Sequence, residues 1–128
     1  MRLLLDTQIL LWAAGEPERL PEGVRAMLKD EANILLFSAA SIWEVAIKSS
    51  LGRDDFEADA AVLRRGLLDN GYVEVAVTGE HAVGVRSLPM VHRDPFDRML
   101  VAQAIMEGAH LVTADERLAE YPLSLIRV

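Results

Sequence analysis

The sequence predicts an α/β fold, a three-layer α/β/α sandwich around a mainly parallel sheet of about five strands. The first observation behind this prediction is that strand-like apolar runs alternate with helix-like segments along the whole chain. The second is that no repeat, linker or low-complexity tract divides the 128 residues, so we expect one domain over residues 1–128. In a sheet of this kind, a ligand site is expected beyond the carboxyl ends of the strands.

Short apolar or alternating runs mark the expected strands. RLLLD and NILLFS are apolar runs typical of buried strands, whereas YVEVAV alternates as a half-buried strand does. The expected strands are 2–6, 33–38, 72–77, 110–114 and 123–128.

Helices are expected between these strands, because the intervals hold apolar residues at helical spacing. Pro21 and Pro95 suit first helical positions, and Gly52, Gly71 and Pro89 suit positions after a last turn. The expected helices are 9–14, 21–31, 41–52, 57–71, 79–88, 95–107 and 116–121. Helical connections between strands imply right-handed crossovers and therefore parallel strands.

Composition excludes several classes of function. The chain has no cysteine, which excludes disulfides, thiolate metal sites and thiol catalysis. No run approaches the roughly 18 apolar residues of a membrane span, and Asp6 interrupts the leucine-rich start, unlike a signal peptide. We therefore expect a cytoplasmic protein. The net charge of −7 argues against a general polyanion binder, so action on phosphodiesters would need added cations.

Four acidic residues fall where this architecture places a ligand site. Asp6 ends the first expected strand, and Asp115 follows the expected strand 110–114. Glu44 lies early in the helix after the second strand, and Asp97 lies in the first turn of the helix that starts at Pro95. Strand ends and helix starts share one edge of a parallel sheet, so we expect the four carboxylates to face one crevice.

Each of these acids also has an explanation in helix capping. Ser41 and Glu44 match the S-x-x-E capping box, and the two acids at strand ends suit N-caps. In RDPFD, Asp94 suits an N-cap and Pro95 the first helical position. Asp97 also suits the positive end of the helix dipole, but we favour Asp94 as the cap and Asp97 as a ligand.

The combined charge of the four acids favours a metal ion among them. Two anions about 5 Å apart repel by roughly 3 kcal/mol at an effective dielectric constant near 20. Four such groups would raise their pKa values or destabilise the fold unless a cation lay between them. Oxygen ligands, without cysteine or a suitably spaced histidine pair, favour Mg²⁺, with Mn²⁺ as the alternative.

Four blocks of sequence stand in an order and spacing typical of one protein family. They are LLLDTQILLW at the start, SAASIWEVAIKSSLGR (38–53), HRDPFDRMLVAQA (92–104) and LVTADERL (111–118). Together they resemble the PIN-domain family, and within it the VapC-type ribonuclease toxins of prokaryotic toxin–antitoxin pairs. The resemblance implies a Mg²⁺-dependent endoribonuclease with an antitoxin protein as partner. It also implies a homodimer, with helix 95–107 as a candidate interface, and an antitoxin groove at 9–14 and 57–68.

The resemblance also implies roles for individual residues. The catalytic and metal-binding acids carried over from the family are Asp6, Glu44, Asp97 and Asp115. Thr113 matches the hydroxyl residue that helps to order the site. Gln8 departs from the Asn or His of many relatives, which leaves a polar role at that position open.

Basic, histidine and aromatic residues near these motifs are further candidates. The candidates for positioning phosphates are Lys48, Arg53, Arg93 and Arg98, with solvated charges or ion pairs as the alternative. For His92, beside the acidic segment, we favour a structural role over that of a general acid. We expect Trp12 and Trp43, in apolar helices, to pack in the core or an interface rather than to stack on bases.

Three alternative functions remain open. A Mg²⁺-dependent phosphatase of the haloacid dehalogenase type would carry D-x-D after its first strand, where this chain has Asp6 and Gln8. A receiver-like phosphoacceptor would need a lysine after a late strand, which the chain lacks. A PIN-like interaction module without catalysis would not need all four acids.

Overall fold

Five parallel strands form the centre of the structure, a computed structural model that describes residues 1–51 and 58–128. They are β1 (Arg2–Leu5), β2 (Ile34–Ser38), β3 (Val73–Val75), β4 (His110–Thr113) and β5 (Leu125–Arg127). Their order in the sheet is β3-β2-β1-β4-β5, and each neighbouring pair is parallel. The chain therefore builds one half of the sheet outward from β1, and then returns to the other side of β1 for β4.

Six α-helices within the described residues connect the strands. They are α1 (Thr7–Gly15), α2 (Glu22–Lys29), α3 (Ala39–Ser50), α4 (Ala60–Asp69), α5 (Gly79–Gly84) and α6 (Pro95–Met106). Short 3₁₀ helices follow at Pro17–Arg19, Val85–Ser87 and Glu116–Glu120. None of the helices in residues 1–51 and 58–128 combines the length and the apolar content needed to span a bilayer.

Alternate strand residues enter two separate cores, one on each face of the sheet. Leu3 and Leu5 of β1 join Phe37 of β2 in the first core, which also includes side chains of α1, α2 and α4. Leu4 and Leu36 join the second core, which includes the buried face of α6. Because successive strand side chains point to opposite faces, a strand that is apolar throughout is covered on both sides. The structure is thus the three-layer α/β/α sandwich that the sequence predicts.

Element boundaries differ from the sequence prediction where caps decide them. Asp6 is the N-cap of α1, so β1 ends at Leu5 and not at residue 6. Ser38 caps α3 by accepting a hydrogen bond from the Ala40 amide, so this helix begins before residue 41. The expected helix 79–88 divides into α5 and a 3₁₀ helix, and the segment 116–120 is 3₁₀. The expected stop at Gly52 and the expected start of helix 57–71 lie outside the described residues.

Candidate active site

A cleft of about 370 Å³ lies at the carboxyl edge of the sheet. It lies beyond the ends of the neighbouring strands β1 and β4. The strand order changes direction between these two strands, because β2 and β3 lie on one side of β1 and β4 and β5 lie on the other. Crevices at such points are where open α/β sheets bind ligands. The residues that line the cleft are Asp6, Thr7, Gln8, Leu11, Glu44, Lys48, Asp94, Asp97, Ala114 and Asp115. The structure therefore brings the four predicted acids together.

Asp6 uses its two carboxylate oxygens for different contacts. Oδ1 accepts a hydrogen bond from the Ile9 amide (2.9 Å), which is the N-cap contact of α1. Oδ2 accepts a hydrogen bond from the Thr113 hydroxyl, which links the ends of β1 and β4. Burial raises the pKa of Asp6; the bonds from Thr113 and Ile9 oppose this rise, and the charges of Glu44 and Asp115 add to it. Asp6 is thus both a cap and a member of the acidic cleft.

Glu44 does not belong to a capping box, contrary to the alternative suggested by S-x-x-E. Ser38 caps α3, so Ser41 and Glu44 lie within the helix, and both are buried. Thr7 donates a hydrogen bond from Oγ1 to Glu44 Oε1 (2.7 Å), and Lys48 Nζ lies 2.7 Å from Glu44 Oε2. These partners hold the carboxylate towards the cleft, one helical turn before Lys48.

Asp94 and Asp97 differ in how they contribute to the start of α6. Asp94 Oδ1 accepts hydrogen bonds from the amides of Phe96 (2.8 Å) and Asp97 (3.3 Å), so Asp94 is the N-cap of α6. The Asp97 carboxylate takes no part in the cap and lines the cleft. Burial raises the pKa of Asp97 to about 7, with Asp94 adding to the rise and His92 opposing it. The carboxyl group of Asp97 is therefore held in a place where its charge is unfavourable without a cation.

Asp115 is the acid of the cluster with the strongest compensation from a basic residue. Its Oδ1 accepts a hydrogen bond from the Arg117 amide (3.0 Å), which caps the following 3₁₀ helix. The Arg117 guanidinium donates to both carboxylate oxygens, at 3.1 and 2.9 Å, and holds the pKa of Asp115 below its ordinary value. The Asp115 amide donates to Thr113 Oγ1 (3.0 Å), so one hydroxyl positions Asp6 and Asp115 together.

His92 joins this cluster, although the sequence favours only a structural role for it. Its Nδ1 accepts a hydrogen bond from the Asp94 amide (3.2 Å), so a neutral ring carries its proton on Nε2. Nε2 lies 3.2 Å from Asp97 Oδ2 and 3.4 Å from Asp115 Oδ2, and it is buried without an aligned hydrogen bond to any described group. The approach of His92 to Asp115 is a tertiary contact, and no local sequence signal identifies it.

The donor set of the cleft fits a divalent cation. One ligand atom from each of His92, Asp97 and Asp115 lies within 4.8 Å of the others. A cation would favour the ionised form of buried Asp97 and so oppose the rise in its pKa. Carboxylate oxygens suit Mg²⁺ or Mn²⁺, whereas His92 Nε2, which carries the proton of the neutral ring, faces them as a donor. The residues present therefore fit the metal that the sequence leads us to expect.

The candidate phosphate-positioning residues lie in different surroundings. Lys48 lines the cleft, paired with Glu44. Arg93 is exposed and lines a neighbouring cavity, next to α6. Arg98 is buried, and its guanidinium donates to the carbonyls of Val85 and Pro89 (both 3.1 Å) and to the Tyr121 hydroxyl (3.3 Å). The assignment of Arg98 to phosphate is therefore replaced by a structural one, and Arg53 lies outside the described residues.

The two tryptophans differ in exposure. Trp12 is partly buried against the first core, as expected, and the Arg19 guanidinium lies over its ring at 5.0 Å. Trp43 is 63% exposed, so it does not pack in the core, and an interface stays the expected alternative for this residue. Its ring meets Phe96 of α6 in a T-shaped contact with ring centroids 5.2 Å apart. Trp43 precedes Glu44, and Phe96 precedes Asp97, so the aromatic pair adjoins the cleft.

Comparison with known proteins identifies relatives over nearly the whole chain. The family model of the PIN domain matches residues 3–123. Ribonuclease VapC22 of Mycobacterium tuberculosis is 29% identical over 120 residues, which are 93% of this chain and 91% of that protein. The crystal structure of VapBC2 from Rickettsia felis, bound to a DNA fragment from its promoter, has a TM-score of 0.72 at 17% identity. DNA-bound VapBC from Salmonella typhimurium has a TM-score of 0.72 at 15% identity. Each structural match covers 99% of this chain and 98% of the other, and both show the same fold.

Proposed function

Because the chain belongs to the PIN domain family, we propose that it is a divalent-metal-dependent endoribonuclease and the toxin of a toxin–antitoxin pair. The observation that carries this proposal is the cleft in which Asp6, Glu44, Asp97 and Asp115 meet. The ribonuclease relative supports RNA as the substrate. We propose that the catalytic unit extends over residues 1–128 as one domain and acts in the cytoplasm.

We assign the acids distinct roles in phosphodiester hydrolysis. Asp6 and Asp97 are the principal metal ligands, and Asp115 binds a second cation or acts through water. Glu44, which Thr7 and Lys48 hold at the cleft, either completes the metal shell or orients the attacking water. When bound, the cation supplies positive charge at the phosphodiester and activates water for attack. Mg²⁺ is the proposed ion, and Mn²⁺ is the alternative.

Neighbouring side chains prepare these acids for their roles. The hydrogen bond that Thr113 donates to Asp6 favours the ionised carboxylate, which is the form that binds a metal. His92 Nε2 faces Asp97 and Asp115 and restricts where their oxygens lie. Lys48 at the wall of the cleft and exposed Arg93 are the proposed contacts to RNA phosphates.

An apolar groove supports the proposal of an antitoxin partner. A cavity of about 560 Å³ lies between α1, α2 and α4, at the segments that the family resemblance implies. Apolar side chains line most of it, including Ala13, Leu20, Leu28 and Leu67. A helical or extended peptide segment would fill such a groove. The VapBC complexes among the structural relatives support an antitoxin as its occupant.

A homodimer is the proposed oligomeric state. Val83 of α5 and Ile105 and Met106 of α6 are exposed apolar residues on neighbouring helices. An interface on these helices would remove their side chains from water. The mass measured by light scattering tests this proposal: a dimer supports it, and a monomer across the micromolar range contradicts it.

RNA cleavage with and without metal tests the proposed reaction. The purified protein is incubated with a structured RNA and, separately, with p-nitrophenyl phosphate, each in Mg²⁺ or in EDTA. We expect cleavage of RNA in Mg²⁺ only, and Asp97→Asn should lower the rate by about 100-fold or more with the fold intact. Glu31→Gln, a surface change outside the cleft, serves as the control. Full activity of Asp97→Asn, or turnover of the phosphate ester alone, would contradict the proposal.

A further inference from the structure

Trp43 and Phe96 form an aromatic pair beside the acidic cleft. Their rings meet edge to face, with 68° between the planes and 5.2 Å between the centroids. Phe96 is the more buried member and supports the pair from α6, whereas Trp43 extends from α3 into solvent. In an edge-to-face pair, Phe96 covers at most one face of the indole, so the other face can take another flat group.

The position of the pair is set by the same helix contact that builds the cleft. The residues next in the chain are Glu44 and Asp97, both of which line the cleft. Consecutive residues of a helix point about 100° apart, so an inward acid leaves its aromatic neighbour at the rim. Trp43 and Phe96 are therefore the direct chain neighbours of two acids that line the cleft, one on each of the helices α3 and α6.

The charges around the cleft leave little attraction for phosphates. The protein has a net charge of −7, and four acids line the cleft. Among the described basic residues near the cleft, Lys48 is paired with Glu44 and Arg117 with Asp115, Arg98 is buried in bonds to carbonyl groups, and Arg93 is exposed. Proteins that bind single-stranded RNA gain affinity from stacking bases on aromatic rings as well as from phosphate contacts. With few unpaired cations at the cleft among residues 1–51 and 58–128, RNA binding here depends more on stacking than on phosphate contacts.

We propose that Trp43 stacks on an unpaired base of the RNA substrate, next to the phosphodiester that is cut. This inference rests on the proposed ribonuclease function and names the substrate class as single-stranded or looped RNA. Phe96 is the positioning residue that fixes the orientation of the indole through the edge-to-face contact. Stacking is tolerant of base identity, because every base has an aromatic face, so Trp43 sets the register of the strand and not its sequence.

Steady-state cleavage of a single-stranded 12-nucleotide RNA of mixed sequence tests the role of Trp43. Trp43→Leu should raise KM by about 5- to 150-fold with kcat unchanged, which is the range measured for the loss of one stacked base. Trp43→Tyr, which keeps an aromatic face, should restore most of the affinity. Val73→Ala on β3, another exposed apolar position, serves as the control and should leave both constants unchanged. An unchanged KM in Trp43→Leu overturns the proposal.

Fluorescence gives a readout that does not depend on cleavage. In a Trp12→Phe and Asp97→Asn double variant, Trp43 is the remaining tryptophan, and the same RNA should quench its emission on binding. Failure of wild-type protein to cut RNA refutes the proposed function, whereas binding without quenching refutes stacking alone. If Trp43→Leu instead changes the molecular mass in light scattering, the residue belongs to a protein interface, and the proposal is wrong.

Discussion

In the metal-free protein, Asp97→Asn should be more stable than the wild type, and this advantage should grow as the pH rises. The Asp97 side chain is 24% exposed, and its pKa lies near 7 rather than at its ordinary value of 3.8, mainly because of burial. At 1.36 kcal/mol for each pH unit, this difference corresponds to about 4 kcal/mol of unfavourable charge in the folded state. Asparagine keeps the shape of the side chain and removes that charge.

The sign and pH window follow from where each state releases its proton. Between the ordinary pKa and about 7, the unfolded chain has lost the proton of Asp97 and the folded chain has kept it. The wild-type protein therefore loses stability as the pH rises through this window, and the loss is complete above about 7. Asparagine does not titrate, so its advantage over aspartate should grow by about 2 to 3 kcal/mol between pH 5 and pH 8.

Urea unfolding in EDTA at pH 5, 6, 7 and 8 measures this difference. Asp6 titrates in both proteins, and its charge is among those that raise the pKa of Asp97, so Asp97→Asn removes this repulsion as well and the effect on Asp6 has the same sign. Asp115→Asn is the matched control with the opposite sign, because Arg117 lowers the pKa of Asp115 and ionisation there is favourable. That variant should be less stable than wild type at every pH in the series.

A flat difference between wild type and Asp97→Asn from pH 5 to pH 8 would refute the reasoning. It would mean that solvent reaches Asp97 freely and that the cluster does not concentrate negative charge. Addition of Mg²⁺ at pH 8 gives the complementary result. The cation should stabilise the wild-type protein more than the variant, because binding to the folded state adds to the free energy of unfolding.

Three further predictions concern the cleft and its supports. Mg²⁺ should bind more tightly as the pH rises, by up to about tenfold per pH unit below pH 7, because Asp97 must lose its proton to coordinate the ion. Titration calorimetry, which reports both the affinity and the protons released, measures this dependence. Thr113→Val removes the bond to Asp6, so kcat/KM should fall by about 10- to 100-fold and its acid limb should move to higher pH; an unmoved limb would show that the hydroxyl does not support the carboxylate. Arg98→Met should lower the free energy of unfolding in urea by about 2 to 4 kcal/mol, because buried carbonyls lose their donor, whereas Arg93→Met on the surface should change it by less than about 0.5 kcal/mol. Equal effects of the two arginine variants would contradict the structural role of Arg98.

The capping chemistry of this chain explains why some assignments were possible from sequence and others were not. Asp94 and Pro95 are neighbours in the chain, and the structure has Asp94 as the cap of α6. The capping box at Ser41 and Glu44 is absent, although its local pattern is correct, because the seryl side chain at position 38 caps the helix instead. Local patterns name residues that are able to cap, but the packing of the helix against the sheet decides which one does.

Exposure was harder to infer than secondary structure for the same reason. Arg98 and Trp43 each contradict the average behaviour of their residue types. Arg98 is buried because three acceptors converge on its guanidinium from separate segments. Trp43 is exposed because α3 turns Glu44, its neighbour, towards the cleft. Neither outcome follows from the residues within one helical turn.

The alternation of apolar strands and amphipathic helices by itself determined the class of this fold and placed an acid at the end of β1, near the start of α3 and α6, and after β4. These properties are local, because they depend on side-chain periodicity and on residues that begin or end a helix. Only the tertiary structure decided that β4 pairs with β1 rather than with β3. That pairing brings Thr113 and Asp115 to Asp6, although Thr113 and Asp6 are 107 residues apart in the sequence. It is stabilised by the burial of both faces of β1, which depends on side chains from several segments and cannot be read from any one of them.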